Sequence, residues 1–169
     1  MRATLVITLL MSVLDGFCQI NARVVRVKDG DTFVALWGGK SYNCRLLNID
    51  APELKQAFGV ASKDSLSNAI LGKTVTLDSL KNDLYGRVLV NVHLGNIRLD
   101  SLMVRNGWAW HYANYSNDNN LALAMQEAVF EGIGLWKCGV QNVCPPWFYR
   151  KYNFWNKQRY CTGCQSIFN

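Results

Sequence analysis

Three short segments of the chain carry the side chains that could do chemistry. Asp29-Gly30-Asp31-Thr32 places two carboxylates at a turn. Arg45-Leu46-Leu47-Asn48-Ile49-Asp50-Ala51-Pro52-Glu53 runs from a strand-like stretch into a proline-stiffened loop with a carboxylate at each end of it. Asp83-Leu84-Tyr85-Gly86-Arg87 supplies a second arginine. If Asp31 lies beside Asp50 and Glu53, three hard oxygen donors converge without His or Cys, a set that suits Ca²⁺ or Mg²⁺ rather than zinc. Two guanidinium forks beside them match the negative charge that gathers when a phosphodiester is cleaved. A divalent ion neutralises more of that charge, and one carboxylate must stay free to orient or deprotonate water. Each segment alone also has a plainer reading: Asp-Gly is a common turn, and Arg45 and Arg87 could be structural partners of Asp50, Glu53 or Asp83. The three together favour the chemistry. His93, in an apolar strand pattern, and His111, among aromatics, are read as structural.

Such a set works only if short elements bring it together. Residues 23–28, 31–37 and 40–48 are rich in β-branched and aromatic types and are expected as strands, with turns at Asp29-Gly30 and Gly38-Gly39. Pro52 ends the third, since it restricts Ala51 and cannot donate to a ladder. Residues 58–71 place Phe58, Ala61, Leu66, Ala69 and Ile70 on one side of a helix that Gly72 ends. Strands are expected at 73–80 and 85–94, a short helix at 99–106, and a clearer one at 118–131 from the spacing of Leu121, Ala124, Met125, Ala128 and Val129. Five strands interrupted by one helix predict a small closed barrel with helices packed around it.

The 169 residues make one ordinary domain with room for an appendage. Half are hydrophobic and 18% charged, which excludes wholesale disorder. The net charge of +6 points to a polyanion, either nucleic acid or an anionic membrane face. Met1-Arg2, an apolar run from Ala3 to Leu14, and Asp15-Gly16 leading to a small residue read as a secretory signal peptide over residues 1–22. Cleavage is expected after Ala22, with Cys18 the second choice; retention of the segment as an anchor is the alternative. Its removal takes Arg2 and Asp15 together, so the charge stays +6, and it leaves five of the six cysteines.

Four of those five, Cys138, Cys144, Cys161 and Cys164, lie in a basic, aromatic extension over 138–169. Residues 137–169 hold Lys137, Arg150, Lys151, Lys157 and Arg159 and no Asp or Glu. Basic and aromatic side chains interleaved are what a surface needs to hold phosphates and stack bases; packing over a stapled hairpin is the bland account of the same composition. The CxxC at Cys161–Cys164 with the other two fits zinc, but in an exported chain disulfides come first, with Cys138 or Cys144 joined to Cys161 or Cys164. Cys44 is expected as a buried free thiol.

The three chemical segments, in this order and spacing, resemble the staphylococcal (micrococcal) nuclease, or thermonuclease, family. Val104-Arg105-Asn106-Gly107-Trp108-Ala109, Tyr112…Tyr115, Gly134-Leu135-Trp136 and Pro145-Pro146-Trp147-Phe148-Tyr149-Arg150 agree, and the match covers about residues 23–151. The resemblance implies an OB-fold, a five-stranded Greek-key barrel with about three helices, as the nuclease domain over 23–137. It implies a secreted or periplasmic, monomeric, Ca²⁺-dependent endonuclease, sugar-nonspecific, with DNA and RNA as substrates, products ending in 3′-phosphates, and no stable membrane association once the signal is removed. Asp31, Asp50 and the Ala51 carbonyl would hold the metal; Glu53 would be the general base; Arg45 and Arg87 would stabilise the transition state; Tyr85 and Tyr115 would touch the nucleotide. Ala51 stands where the best-known member has Thr, and Leu84 where it has a phosphate-holding Lys. A catalytically inactive OB-fold that only binds nucleic acid is the rival reading, and the intact Asp31, Arg45, Asp50, Glu53 and Arg87 set argues against it.

Overall fold

The computed structural model describes residues 19–164, with the side chains of residues 79 and 80 left aside. The apolar run of the expected signal peptide and Cys18 lie outside the described residues. Along the chain come β1 (Ile20–Val27), β2 (Thr32–Trp37), β3 (Lys40–Leu46), β4 (Ile49–Asp50), α1 (Gly59–Ile70), β5 (Thr74–Asn82), β6 (Val88–Leu94), β7 (Ile97–Arg98), α2 (Leu99–Arg105), β8 (Trp110–His111) and α3 (Asn119–Phe130). Two short 3₁₀ turns follow, and then α4 (Pro146–Lys151) and α5 (Phe154–Tyr160).

Alternation makes the barrel wall. β1 turns Ala22 and Val24 inward, and a bulge between Val24 and Arg26 resets the register so that Val27 faces the core instead of Arg26. β1 pairs antiparallel with β2 and β5, β2 with β3, and β5 with β6. β3 then lies parallel to β6 and closes the ring, so the barrel is five-stranded and mixed, as expected. Phe33, Ala35, Cys44, Leu46, Val75, Leu77, Val90 and Val92 fill it, and α1, α2 and α3 add Leu66, Ile70, Leu99, Met103 and Leu121 to the same core. Among the described residues no helix is long and apolar enough to cross a membrane.

The boundaries differ from expectation where side chains compete with the ladder. β3 stops at Leu46, because Asn48 takes a left-handed turn (φ 68°) before β4. β6 begins at Val88, because the Asp83 carboxylate accepts the Tyr85 and Arg87 N–H groups, both at 2.9 Å, and folds residues 83–87 into a turn. β1 starts at Ile20, and the fully buried Ala22 pairs with Val75. A cut after Ala22 would therefore strip three paired residues from the barrel, whereas a cut after Cys18 would leave the strand whole.

The extension is helical and packed. Pro146 sits in the first turn of α4, and Asn153 caps α5 by accepting the Asn156 N–H at 2.9 Å. Val143 and Trp147 join Trp110, Ala128, Leu135 and Trp136 in a second apolar cluster against α3, so the chain after residue 137 continues the same body. Disulfides join Cys138 to Cys164 and Cys144 to Cys161, which removes the zinc reading of these thiols. Cys44 is free, and burial inside the barrel pushes its thiol pKa up to about 12.

Candidate active site

The site is built where the β1–β2 turn meets the end of β3. In that turn the Asp29 side chain accepts the Asp31 N–H at 3.1 Å, and the Thr32 hydroxyl donates to Asp31 Oδ1 at 2.8 Å. Gly30 permits the turn to lie flat on its neighbours: a Cβ there would meet Ser62 Oγ of α1 at 1.9 Å and the Ala51 side chain at 2.7 Å. The other half of the site is set by the corner at Asn48, whose amide donates to Asn91 at 3.3 Å and to Asp100 at 3.1 Å. Ile49 and Asp50 then pair with His111 and Trp110 in a two-stranded sheet of their own, which fixes Asp50 where no solvent reaches it. Gly59 draws the next loop in. A Cβ there would meet the Glu53 carbonyl oxygen at 1.9 Å, and the Glu53 N–H donates to the Gln56 side chain at 3.2 Å.

These elements bring the expected residues together. Arg45 reaches across with one terminal nitrogen on Asp31 Oδ2 and the other on Asp50 Oδ1, the latter at 2.9 Å. The Ala51 N–H donates to Asp31 Oδ2 at 3.1 Å, so the two loops are also joined by backbone. Burial works against the charge on Arg45, but Asp31 and Asp50 more than offset it, and its pKa stands above the ordinary value. Asp31 and Asp50 are 3% and 0% exposed, so their carboxylates are held by these partners and not by bulk water.

One residue in this cluster was not expected there. Arg150 of α4 places Nη2 2.9 Å from Asp50 Oδ2 and Nη1 2.9 Å from Glu53 Oε1. It is thus a second guanidinium in the cluster, sharing Asp50 with Arg45 and adding Glu53, and it is delivered by the stapled extension. Its place is secured by contacts from the extension back to the loop after Glu53: the Gln56 side chain donates to the Cys144 carbonyl, and the Tyr149 hydroxyl donates to the Lys55 carbonyl at 3.0 Å. Residue type alone marked Arg150 as one of five basic residues of the extension; nothing in its spacing tied it to Glu53.

Arg87 stands apart. Its Nε donates to Asp83 Oδ2 at 2.7 Å, and its guanidinium lies 5.7 Å from the Tyr85 ring. Burial works against the Asp83 charge, but the Arg87 N–H and guanidinium and the Tyr85 N–H together outweigh it and hold the carboxyl below its usual range. Arg87 ends the turn that leads into β6, two residues before Leu89, which lies opposite Arg45 in the parallel β3–β6 pair. Tyr85 and Tyr115 do not touch the carboxylates; they are 86% and 76% exposed, and Tyr115 leans on Tyr112, which stacks on Trp147. His93 pairs with Asp78, and His111 is buried on β8.

Asp29 carries the strain of this crowding. Burial first, and repulsion from Asp31 second, push its pKa up to about 6 from the 3.8 of a free Asp. A carboxyl with a raised native pKa holds its proton longer folded than unfolded, so stability falls as pH climbs between those values and stays lower above them. Asp29→Asn should therefore stabilise the chelator-treated protein above pH 6, by about 3 kcal/mol at most, and leave it unchanged near pH 3. Urea titrations from pH 3 to 8 check this; an equal effect at both ends would sink it.

The donor chemistry fits a hard cation. Asp31 and Asp50 come close enough to share one guanidinium, and neither His nor Cys competes. Among the described residues no three ligating side chains form a ready cage. Two carboxylates, a carbonyl such as that of Ala51, and water make a set that Ca²⁺ and Mg²⁺ accept.

Residues 43–138 match the family described as staphylococcal nuclease homologue. An Escherichia coli protein named "uncharacterized endonuclease" is 41% identical over 133 residues, 78% of this chain and 86% of its own length. A protein of the same name from Haemophilus influenzae is 44% identical over 117 residues, 69% of this chain and 66% of its own. A probable staphylococcal-like nuclease of Oryza sativa subsp. japonica is 34% identical over 112 residues, 66% of this chain and 29% of its own.

Proposed function

The chain belongs to the staphylococcal nuclease family, and from that membership we propose that it is an exported, Ca²⁺-dependent endonuclease that cleaves DNA and RNA to products ending in 3′-phosphates. The observation that carries this reading is the convergence of Asp31, Arg45, Asp50 and Glu53 on one rim of the barrel, from segments separated in the chain. A structural salt bridge needs two partners; this cluster has three carboxylates and two arginines, more than packing requires and matched to a phosphodiester and a cation. The two disulfides support an oxidising destination.

Asp31 and Asp50, with the Ala51 carbonyl, would hold the ion. When bound, it supplies positive charge next to the phosphate oxygens. Arg45, held by both aspartates at the base of the site, would turn the N–H groups they leave free toward the phosphate. Arg87, at the turn that leads into β6, would swing from Asp83 to the phosphate and stabilise charge as the transition state forms. Glu53, at the rim and half-exposed, takes a proton from the attacking water. Tyr85 and Tyr115 offer exposed rings at the periphery for the nucleotide. Affinity should come from the phosphate backbone, and hence weaken with salt and discriminate little between sequences.

Digestion of single-stranded DNA and of RNA with Ca²⁺, with a chelator, and with Mg²⁺ in place of Ca²⁺ tests the proposal. Cleavage in Ca²⁺ that stops on chelation, with phosphate on the 3′ ends, is the expected result. Cleavage indifferent to the chelator would overturn the metal assignment, and 5′-phosphate products the cleavage position.

A further inference from the structure

The carboxylate cluster does not end the site. Beyond Glu53 the groove opens into a cleft of about 400 Å³ lined by Asp29, Glu53, Leu54, Lys55, Tyr149, Arg150 and Lys157. A second hollow of about 310 Å³ continues it and shares Lys55, Tyr149 and Lys157. One wall is the loop after the catalytic carboxylate, and the other is α4 and α5 of the extension. We propose that this cleft is a phosphate subsite: Lys55 and Lys157 hold the backbone of a single nucleic-acid strand beyond the bond being cut, so the extension lengthens the substrate groove.

The charges on the two walls support it. Arg150 is balanced by Asp50 and Glu53, and Asp29 accepts a hydrogen bond within its own turn. Lys55 and Lys157 form no ion pair among the described residues, so their ammonium groups stay available to a phosphate that enters the cleft. Nor does the extension dilute them, because residues 137–169 contain no Asp or Glu.

The cleft is also prebuilt. Lys157 Nζ lies 4.3 Å from the centre of the Tyr149 ring, which orders the ammonium without neutralising it. Tyr149 in turn donates its hydroxyl to the Lys55 carbonyl, and the Cys144–Cys161 disulfide ties the start of α4 to the end of α5. Two lysines lining one cleft, Lys157 ordered on the Tyr149 ring and Lys55 on a loop whose backbone Tyr149 holds, recognise a phosphodiester by charge, whatever its bases.

This rests on the nuclease reading, and the test separates the two. A labelled single-stranded 12-mer and a dinucleotide are bound in chelator, by anisotropy, across a salt series. Lys55→Gln/Lys157→Gln should weaken the 12-mer about tenfold, leave the dinucleotide within twofold, and make the salt slope shallower by about 0.7 for each strand phosphate no longer held. Turnover at saturating Ca²⁺ and substrate should stay near that of the unaltered protein, with the loss in KM. Lys151→Gln/Arg159→Gln removes the same charge from outside the cleft and should leave the slope in place. An unchanged slope in the first variant, an equal change in the second, or equal losses on both ligands would overturn the subsite while leaving the nuclease reading intact. Failure of the unaltered protein to bind the 12-mer in chelator would overturn the subsite, whereas the nuclease reading falls only if no cleavage occurs with Ca²⁺.

Discussion

Arg87→Gly should give a folded protein whose turnover is lower by two to three orders of magnitude. Removing one preorganised donor to a developing charge typically costs about 10²–10³ in rate. The structure makes this substitution clean. Arg87 sits at a turn, its one ion pair among the described residues is with Asp83, and a partly exposed surface pair of this kind contributes about 1 kcal/mol to stability. Asp83 keeps the Tyr85 N–H and the turn with it. Glu53→Ser belongs to the same test, because a general base is worth about 10²–10⁴. It also leaves Nη1 of Arg150 with Asp50 alone, so its stability must be measured alongside. Rates near those of the unaltered protein with either substitution would refute the role given to that residue, provided circular dichroism shows the fold intact. Arg45 is the poor choice for such an experiment. It holds two buried aspartates, so its loss would confound chemistry with folding.

The contrast between these arginines shows what a sequence makes legible. Asp31, Arg45, Asp50 and Glu53 sit in two segments that a single hairpin and its following corner bring together, so local spacing sufficed to expect their meeting. Turn chemistry was visible too: Asp-Gly, Gly-Gly and Gly72 all mark real element ends. Boundaries set by side chains capping backbone were less visible, as at Asp83, where a carboxylate holding two N–H groups delays β6 by three residues. The extension was legible in composition and cysteine pairing, but not in shape. Its helices are too short for a periodic apolar face, and only Pro146 and the Asn153 cap hint at them. Arg150 lies 97 residues from Glu53 in the chain. No periodicity spans that separation, and its position depends on how the second apolar cluster and the Gln56 and Tyr149 hydrogen bonds dock the extension on the barrel.

Arg150 leads to the second large effect. Asp50 is fully buried and shares its two oxygens between Arg45 and Arg150, while Glu53 and Asp31 hold one guanidinium each. The cluster therefore carries one net negative charge, and Arg150→Ala would make it two. In chelator the variant should be destabilised by about 2 kcal/mol. That is less than the 3–5 kcal/mol of a buried pair broken outright, because Arg45 remains on Asp50. For a chain of this size the melting temperature should drop by roughly 6 °C. Calcium, the ion proposed for this site, should raise the melting temperature of the variant more than that of the unaltered protein, because a cation then meets Asp50 and Glu53 without a competing guanidinium and binding to the folded state is stabilising. Arg150→Lys should recover only part of the loss, since an ammonium cannot fork between two carboxylates. Thermal melts of the three proteins with chelator and with a calcium series decide it. A variant that melts within a degree of the unaltered protein in chelator would show that the extension is not anchored through Arg150. An equal calcium shift in all three would show that the guanidinium and the ion do not compete for Asp50.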